Sequence, residues 1–153
     1  MELLSRSADE TISFAWRLGK VVAPGDVICL DGSLGAGKTT FIGGLARGLG
    51  HEGPIRSPTF TIVHCYESIR LCHIDAYRLS CAREFFETGL LEFFDGNWVC
   101  AIEWSEKVRD ALPEKRLLVM IEFGENTDER KLTIEALGDW DGRYESLFEE
   151  VRR

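Results

Sequence analysis

Apolar positions along the chain change period several times, and each change marks an element. Ile12, Ala15, Trp16 and Gly19 recur at helical spacing. Ser7-Ala8-Asp9-Glu10 just ahead of them has the form of a capping box, with Ser7 as N-cap and Glu10 reaching back to it. The pattern predicts a helix from about Ala8 to Val22, stopped before Pro24-Gly25. Val27-Ile28-Cys29-Leu30 then runs apolar without alternation, as a strand buried on both faces does. A glycine-rich turn follows, and after it a helix from Thr39 to about Leu49, closed by Gly48 and Gly50.

Past a loop from His51 to Pro58, Thr59–Tyr66 and Arg70–Asp75 read as strands joined by a tight turn. Ala82–Thr88 reads as a short helix ended by Gly89, Trp98–Glu103 as an apolar strand, and Glu106–Leu112 as a helix stopped by Pro113. Leu117–Phe123 and Lys131–Ala136 are strands around a polar turn. Tyr144, Leu147, Phe148 and Val151 fall at i, i+3, i+4 and i+7, an amphipathic helix whose stripe is expected to face the core. Strands and helices interleave with no repeat, low-complexity stretch or linker. The expectation is a single α/β domain over residues 1–153 with one central sheet.

Composition narrows the classes. A hydrophobic share of 44% and a charged share of 29% exclude a disordered, collagen-like or coiled-coil chain. The longest apolar runs, Trp98–Ile102 and Leu117–Ile121, fall far short of the roughly 20 residues a membrane helix needs. Glu2, Asp9 and Glu10 occupy the start, where a signal peptide would carry an apolar stretch, so a cytoplasmic protein without a membrane partner is expected. Eighteen basic against 26 acidic residues give a net charge of −8, which argues against a direct grip on DNA or RNA. The five cysteines (Cys29, Cys65, Cys72, Cys81, Cys100) contain no C-x-x-C pair and are expected to be reduced thiols.

Gly32-Ser33-Leu34-Gly35-Ala36-Gly37-Lys38-Thr39 matches G-x-x-x-x-G-K-[ST]. Glycines let backbone amides curl around a phosphate, and the following helix adds the positive end of its dipole. Lys38 suits the β- and γ-phosphates, and the Thr39 hydroxyl suits Mg²⁺. The bland alternative is a glycine-rich strand-to-helix turn. The apolar strand before the loop and the proline-free helix after it supply the context that the phosphate reading requires.

Three further segments follow the loop in order: Ser57-Pro58-Thr59-Phe60, His73-Ile74-Asp75-Ala76-Tyr77-Arg78-Leu79 and Ile102-Glu103-Trp104. Together with Gly35-Ala36-Gly37-Lys38-Thr39-Thr40, they resemble the TsaE (YjeE) family of small bacterial P-loop ATPases, from the Ser7–Thr11 segment to about Phe123. The resemblance implies a P-loop NTPase-like three-layer α/β fold, with a mostly parallel central sheet flanked by helices. It implies an ATP- and Mg²⁺-dependent ATPase of low intrinsic activity, coupled to the TsaB–TsaD pair in threonylcarbamoyladenosine modification of tRNA. Contact with tRNA would be indirect, through that complex. Nucleotide contacts carry over to Gly35, Ala36, Gly37, Lys38, Thr39 and Thr40, with Thr11 near the adenine. Two departures stand out: Ser33 where the family often has Asp, and Ser105 where proline is common.

Asp75 ends an apolar-rich strand, where a Walker B-type acid would hold Mg²⁺ through water or orient the attacking water; the alternative is a turn aspartate. Glu103 also ends a buried strand, and the resemblance makes it a Mg²⁺ ligand or catalytic carboxylate rather than a surface acid. Which of the two touches the metal directly stays open, beside Thr39. Thr59 resembles a switch residue that senses the γ-phosphate or its Mg²⁺, against the reading of a strand-opening threonine. Trp104 either packs in the core or lines a functional surface. Tyr77 and Arg78 are candidate partner or phosphate contacts, against the default of a solvated arginine, and no arginine finger stands out. If Ser68-Ile69 turn a hairpin, His64 opposes His73 and Cys65 opposes Cys72 on opposite faces, which divides a zinc set in two and leaves the four as packing residues or motif members. A small-molecule kinase lacks an arginine-rich lid here, a GTPase lacks its N/T-K-x-D element, and a nucleotide-binding module without turnover remains the third alternative.

Overall fold

A computed structural model of the chain describes residues 1–140 and 142–152. Strands β1 (Glu2–Ser5), β2 (Val27–Asp31), β3 (Val63–Tyr66), β4 (Leu71–Asp75), β5 (Val99–Glu103), β6 (Arg116–Phe123) and β7 (Arg130–Leu137) form one seven-stranded sheet. The order is β1-β7-β6-β2-β5-β4-β3. The central strands β6, β2, β5 and β4 are parallel, whereas β1, β7 and β3 add antiparallel edges, so the sheet is mixed. The helices are α1 (Ala8–Gly19), α2 (Lys38–Gly48), α3 (Ala82–Glu87) and α4 (Glu145–Arg152).

The unalternating strands are those covered on both sides. In β2, Ile28 and Leu30 join the core under α1, α2 and α4, while Val27 and Cys29 join the core under α3 and the short 3-10 turns. Phe14, Leu18, Phe41 and Leu45 fill the first layer; Ile74, Phe85, Leu90 and Ile102 fill the second. The expected three-layer α/β arrangement is thus present. The stripe of α4 faces the core, with Tyr144 and Leu147 buried. No helix among the described residues is long and apolar enough to cross a membrane.

Two local devices set α1 and α2. Ser7 Oγ accepts from Glu10 N at 3.1 Å, and Glu10 Oε2 accepts from Arg6 N at 2.7 Å, so the box closes one residue earlier than a standard one. The two helices approach backbone to backbone: a Cβ at Gly48 would lie 2.2 Å from Trp16 O. The first helix ends at Gly19, short of Val22: Lys20 N and Val21 N tighten to i−3 bonds on Arg17 O and Leu18 O, and Pro24 blocks continuation.

Other expected boundaries shift. The strand expected from Thr59 begins at Val63, because Ile62 N bonds Pro58 O and Ile62 takes φ +69°, which closes residues 59–62 into a turn. The Glu106–Leu112 helix is instead a 3-10 segment over Ser105–Ala111, broken at Val108 with φ −127°. The β3–β4 connection spans Glu67–Arg70 rather than two residues, with Arg70 left-handed at φ +52°. Its register pairs His64 with His73 and Cys65 with Cys72, as the hairpin reading expected. Strand β1 had no counterpart in the sequence reading; it pairs with β7 along Glu2↔Thr133 to Ser5↔Arg130.

Candidate functional site

Strands β2, β5 and β4 run side by side in parallel, and their carboxyl ends bring Leu30, Glu103 and Asp75 level with one another. Ligands bind at this edge in open α/β sheets. The chain leaves β2 through Gly32-Ser33-Leu34-Gly35-Ala36-Gly37 and enters α2 at Lys38. Gly37 is the N-cap of α2 at φ +111°, a conformation that L side chains rarely adopt. A cleft of about 440 Å³ lies above, lined by Leu34, Gly35, Gly37, Lys38, Thr39, Thr40, Ser57, Thr59, Asp75, Tyr77, Glu103 and Trp104. The α2 dipole and its first free amides face that space, a general anion-binding arrangement.

Lys38 is buried, at 5% exposure. Its Nζ donates to Gly32 O at 2.6 Å and Ser33 O at 3.0 Å, and it sits 3.9 Å from the Trp104 ring centre. Burial lowers its pKa, while the carboxylates of Glu103, Glu106, Asp75 and Asp31 pull the other way. A single loop lysine therefore faces a ring of acids. Trp104 reaches it from a left-handed backbone position (φ +58°) directly after β5 and packs on Tyr77 at 5.1 Å.

Two acid networks face each other. Thr39 Oγ1 donates to Glu103 Oε1 and Oε2 at 3.0 and 3.2 Å. The buried His73 donates from Nε2 to Glu103 Oε2 at 2.7 Å. Among the described residues, its Nδ1 has no hydrogen-bond partner. Beside these, Asp75 Oδ2 accepts from Ser57 Oγ at 2.6 Å and Thr59 Oγ1 at 3.2 Å, and Asp75 Oδ1 accepts from Tyr77 N at 2.9 Å. The turn that displaces the start of β3 is what lets Thr59 reach Asp75.

Among the described residues, no three His, Cys, Asp or Glu side chains gather into a metal cage. The available donor set is oxygen only: a threonine hydroxyl and carboxylates on neighbouring strand ends. That set suits Mg²⁺, which takes one or two carboxylates and completes its shell with phosphate and water.

Most of the site residues expected from sequence meet here: Gly35, Gly37, Lys38, Thr39, Thr40, Thr59, Asp75 and Glu103 all line the cleft. Ala36 lies fully buried beneath the loop. Thr11 stands apart: it is 2% exposed, and its Oγ1 shares a 2.7 Å hydrogen bond with Ser5 Oγ. Its neighbour Ile12 lines a second groove of about 280 Å³ with Thr39, Thr40, Gly43, Arg47 and Ile55. The sequence reading left His73 as a packing residue or a motif member. The signal was available, since residues two apart on a strand share a face and Asp75 is two residues on. It gave no role to Asp31 or Glu106. Ser105 Oγ donates to the buried Asp31 at 2.7 Å, so the serine that replaces the frequent proline ties the end of β5 to the end of β2. Burial and then the Asp31 carboxyl push Glu106 up to about 7. Ser33 uses its carbonyl for Lys38 while the residue itself is exposed.

Comparison with known proteins bears on the family and the fold. The sequence profile of the family described as "Threonylcarbamoyl adenosine biosynthesis protein TsaE" matches residues 5–132. The chain is 42% identical over 147 residues to the tRNA threonylcarbamoyladenosine biosynthesis protein TsaE of Bacillus subtilis, covering 95% of this chain and 89% of that one. It is 42% identical over 122 residues to the Treponema pallidum protein of the same name, covering 79% and 90%. The crystal structure of Bacillus subtilis YdiB superimposes with a TM-score of 0.79 at 38% identity, covering 100% of this chain and 94% of that one. On fold, loop and sequence together, the chain belongs to the TsaE family of threonylcarbamoyl adenosine biosynthesis proteins.

Proposed function

We propose that the chain binds ATP with Mg²⁺ in this cleft, hydrolyses it slowly, and through that cycle supports the TsaB–TsaD complex in threonylcarbamoyl modification of adenosine in tRNA. The observation that carries the reading is the bond from Thr39, the last residue of the loop motif, to both oxygens of Glu103. It gathers a hydroxyl and a carboxylate where a phosphate-bound metal would need them. Mg²⁺, when bound, supplies neutralising charge for the phosphates.

The residues divide the work. Lys38 exchanges the Gly32 and Ser33 carbonyls for the β- and γ-phosphates, and Trp104 follows it. Thr39 and Glu103 would hold Mg²⁺, with His73 holding the carboxylate in place. Asp75 would orient the attacking water or hold Mg²⁺ through water, and Thr59 with Ser57 reports on the γ-phosphate through the bonds both make to Asp75. The groove beside Thr40, bounded by Ile12, Arg47 and Ile55, takes the base, with Thr11 supporting its wall from behind. The resting bonds of Lys38 and Thr39 must be surrendered for catalysis, which fits low intrinsic turnover. A net charge of −8 fits a helper that meets tRNA through its partners in the cytoplasm and has no membrane or DNA role.

The test is phosphate release from Mg-ATP by the protein alone and with TsaB and TsaD. Slow release that changes on mixing is expected. Nucleotide binding without release in either state would make the chain a binding module instead.

A further inference from the structure

Arg130 opens β7, far along the chain from the phosphate loop, yet its Nε donates to Ala36 O at 2.9 Å. The rest of the guanidinium is fixed locally: Nη1 donates to Thr127 O at 2.9 Å and Glu129 O at 2.8 Å, and the group lies 4.5 Å from the Phe123 ring centre. A planar fork held at Nη1 and laid against a ring points its Nε in one direction. Phe123 also approaches the loop, 4.0 Å from where a Cβ on Gly35 would stand.

The consequence follows from peptide geometry. No peptide bond among the described residues is cis, so the Ala36 C=O and the Gly37 N–H share one planar unit and point in opposite directions. A carbonyl held against β7 leaves the amide facing the cleft that Gly37 lines. With glycine on both sides of Ala36, little in the loop's own backbone preferences fixes that plane.

We infer that Arg130 is a positioning residue for the phosphate loop, holding the Ala36 carbonyl so that the Gly37 amide donates to the anionic group of a bound nucleotide. The inference rests on the nucleotide-binding reading of the cleft.

The test titrates ADP into ¹⁵N-labelled wild type, Arg130→Gln, Arg130→Lys and Glu129→Gln, following affinity, the Gly37 amide resonance and thermal melting. Glu129→Gln weakens the same hairpin turn, replacing a charged acceptor by a neutral one where Glu129 Oε2 accepts from Asn126 N at 3.2 Å, without touching Ala36. Arg130→Gln should weaken ADP binding about tenfold, the scale of one hydrogen bond from a charged donor. It should also remove most of the ADP-induced Gly37 shift. Arg130→Lys, lacking the fork, should restore only part of either, and Glu129→Gln should keep both at the wild-type level. If wild type binds ADP and Arg130→Gln binds it equally with the Gly37 shift intact, the inference fails and the nucleotide reading stands. If Arg130→Gln and Glu129→Gln weaken binding alike, the residue acts only on the hairpin and the inference fails. If wild type binds no ADP, the reading and the inference fall together.

Discussion

His73 and Glu103 should prove energetically coupled well beyond the usual surface ion pair. Their side chains are 0% and 5% exposed and meet at 2.7 Å. A hydrogen bond to a charged group is worth about 1.5–3 kcal/mol, and an orphaned buried donor costs about 1–3 kcal/mol. Glu103→Ala strands the imidazole, whose Nδ1 already lacks a partner among the described residues, whereas the half-buried Thr39 hydroxyl can turn to solvent. His73→Ala leaves Glu103 still bonded to Thr39. Urea unfolding of wild type, both single variants and the double variant, in metal- and nucleotide-free buffer, closes the cycle. The coupling should come out near 1.5–3 kcal/mol, with the double variant less impaired than the sum of the singles. Additivity within about 0.5 kcal/mol would refute the reasoning. The same Glu103→Ala protein should keep nucleotide binding but release phosphate more slowly; a wild-type rate removes Glu103 from the proposed mechanism.

Other outcomes follow from single contacts. Glu106 is raised from 4.5 to about 7, so the folded chain holds a proton that the unfolded chain has released. The stabilisation from that proton is complete below about pH 4.5 and is lost as pH rises through about 7. Glu106→Gln should therefore flatten the stability–pH curve across that window; an unchanged slope by denaturant titration contradicts it. Trp104 lies 3.9 Å from the Lys38 ammonium, so nucleotide binding should change indole fluorescence and Trp104→Phe should abolish most of that change. An equal response from Trp104→Phe would assign it to another tryptophan. Gly48→Ala drives a Cβ to 2.2 Å from Trp16 O, so α1 and α2 must separate. That should cost about 1–3 kcal/mol, seen as a lower melting temperature; an unchanged melting temperature contradicts the close approach.

The legible parts of the fold were those where one residue type has one physical use. The apolar run of β2, the glycine-lysine loop and the helix after it follow from burial, positive φ and charge, and each stands where the pattern put it. The β3–β4 register was readable because period two leaves few choices. Strand β1 was not, because Glu2–Ser5 is short and lies at an edge, with little buried alternation. Nor was the turn that carries Thr59, since it depends on Ile62 taking a left-handed conformation that isoleucine rarely adopts. Asp75 and Glu103 could be nominated one by one, but their convergence with Thr39 and His73 is a property of strand order, which local pattern does not encode. Arg130 was invisible for the same reason: its partner lies on a distant loop that meets it only in the folded sheet.

The most direct test of the central claim, that this cleft is a Mg-nucleotide site built around Lys38, is calorimetric titration of Mg-ATP into wild type and Lys38→Ala. The account predicts one site on wild type and a loss of affinity on the order of 100-fold in the variant, because a charged donor to the phosphates has gone. Equal affinity in the two proteins would contradict it.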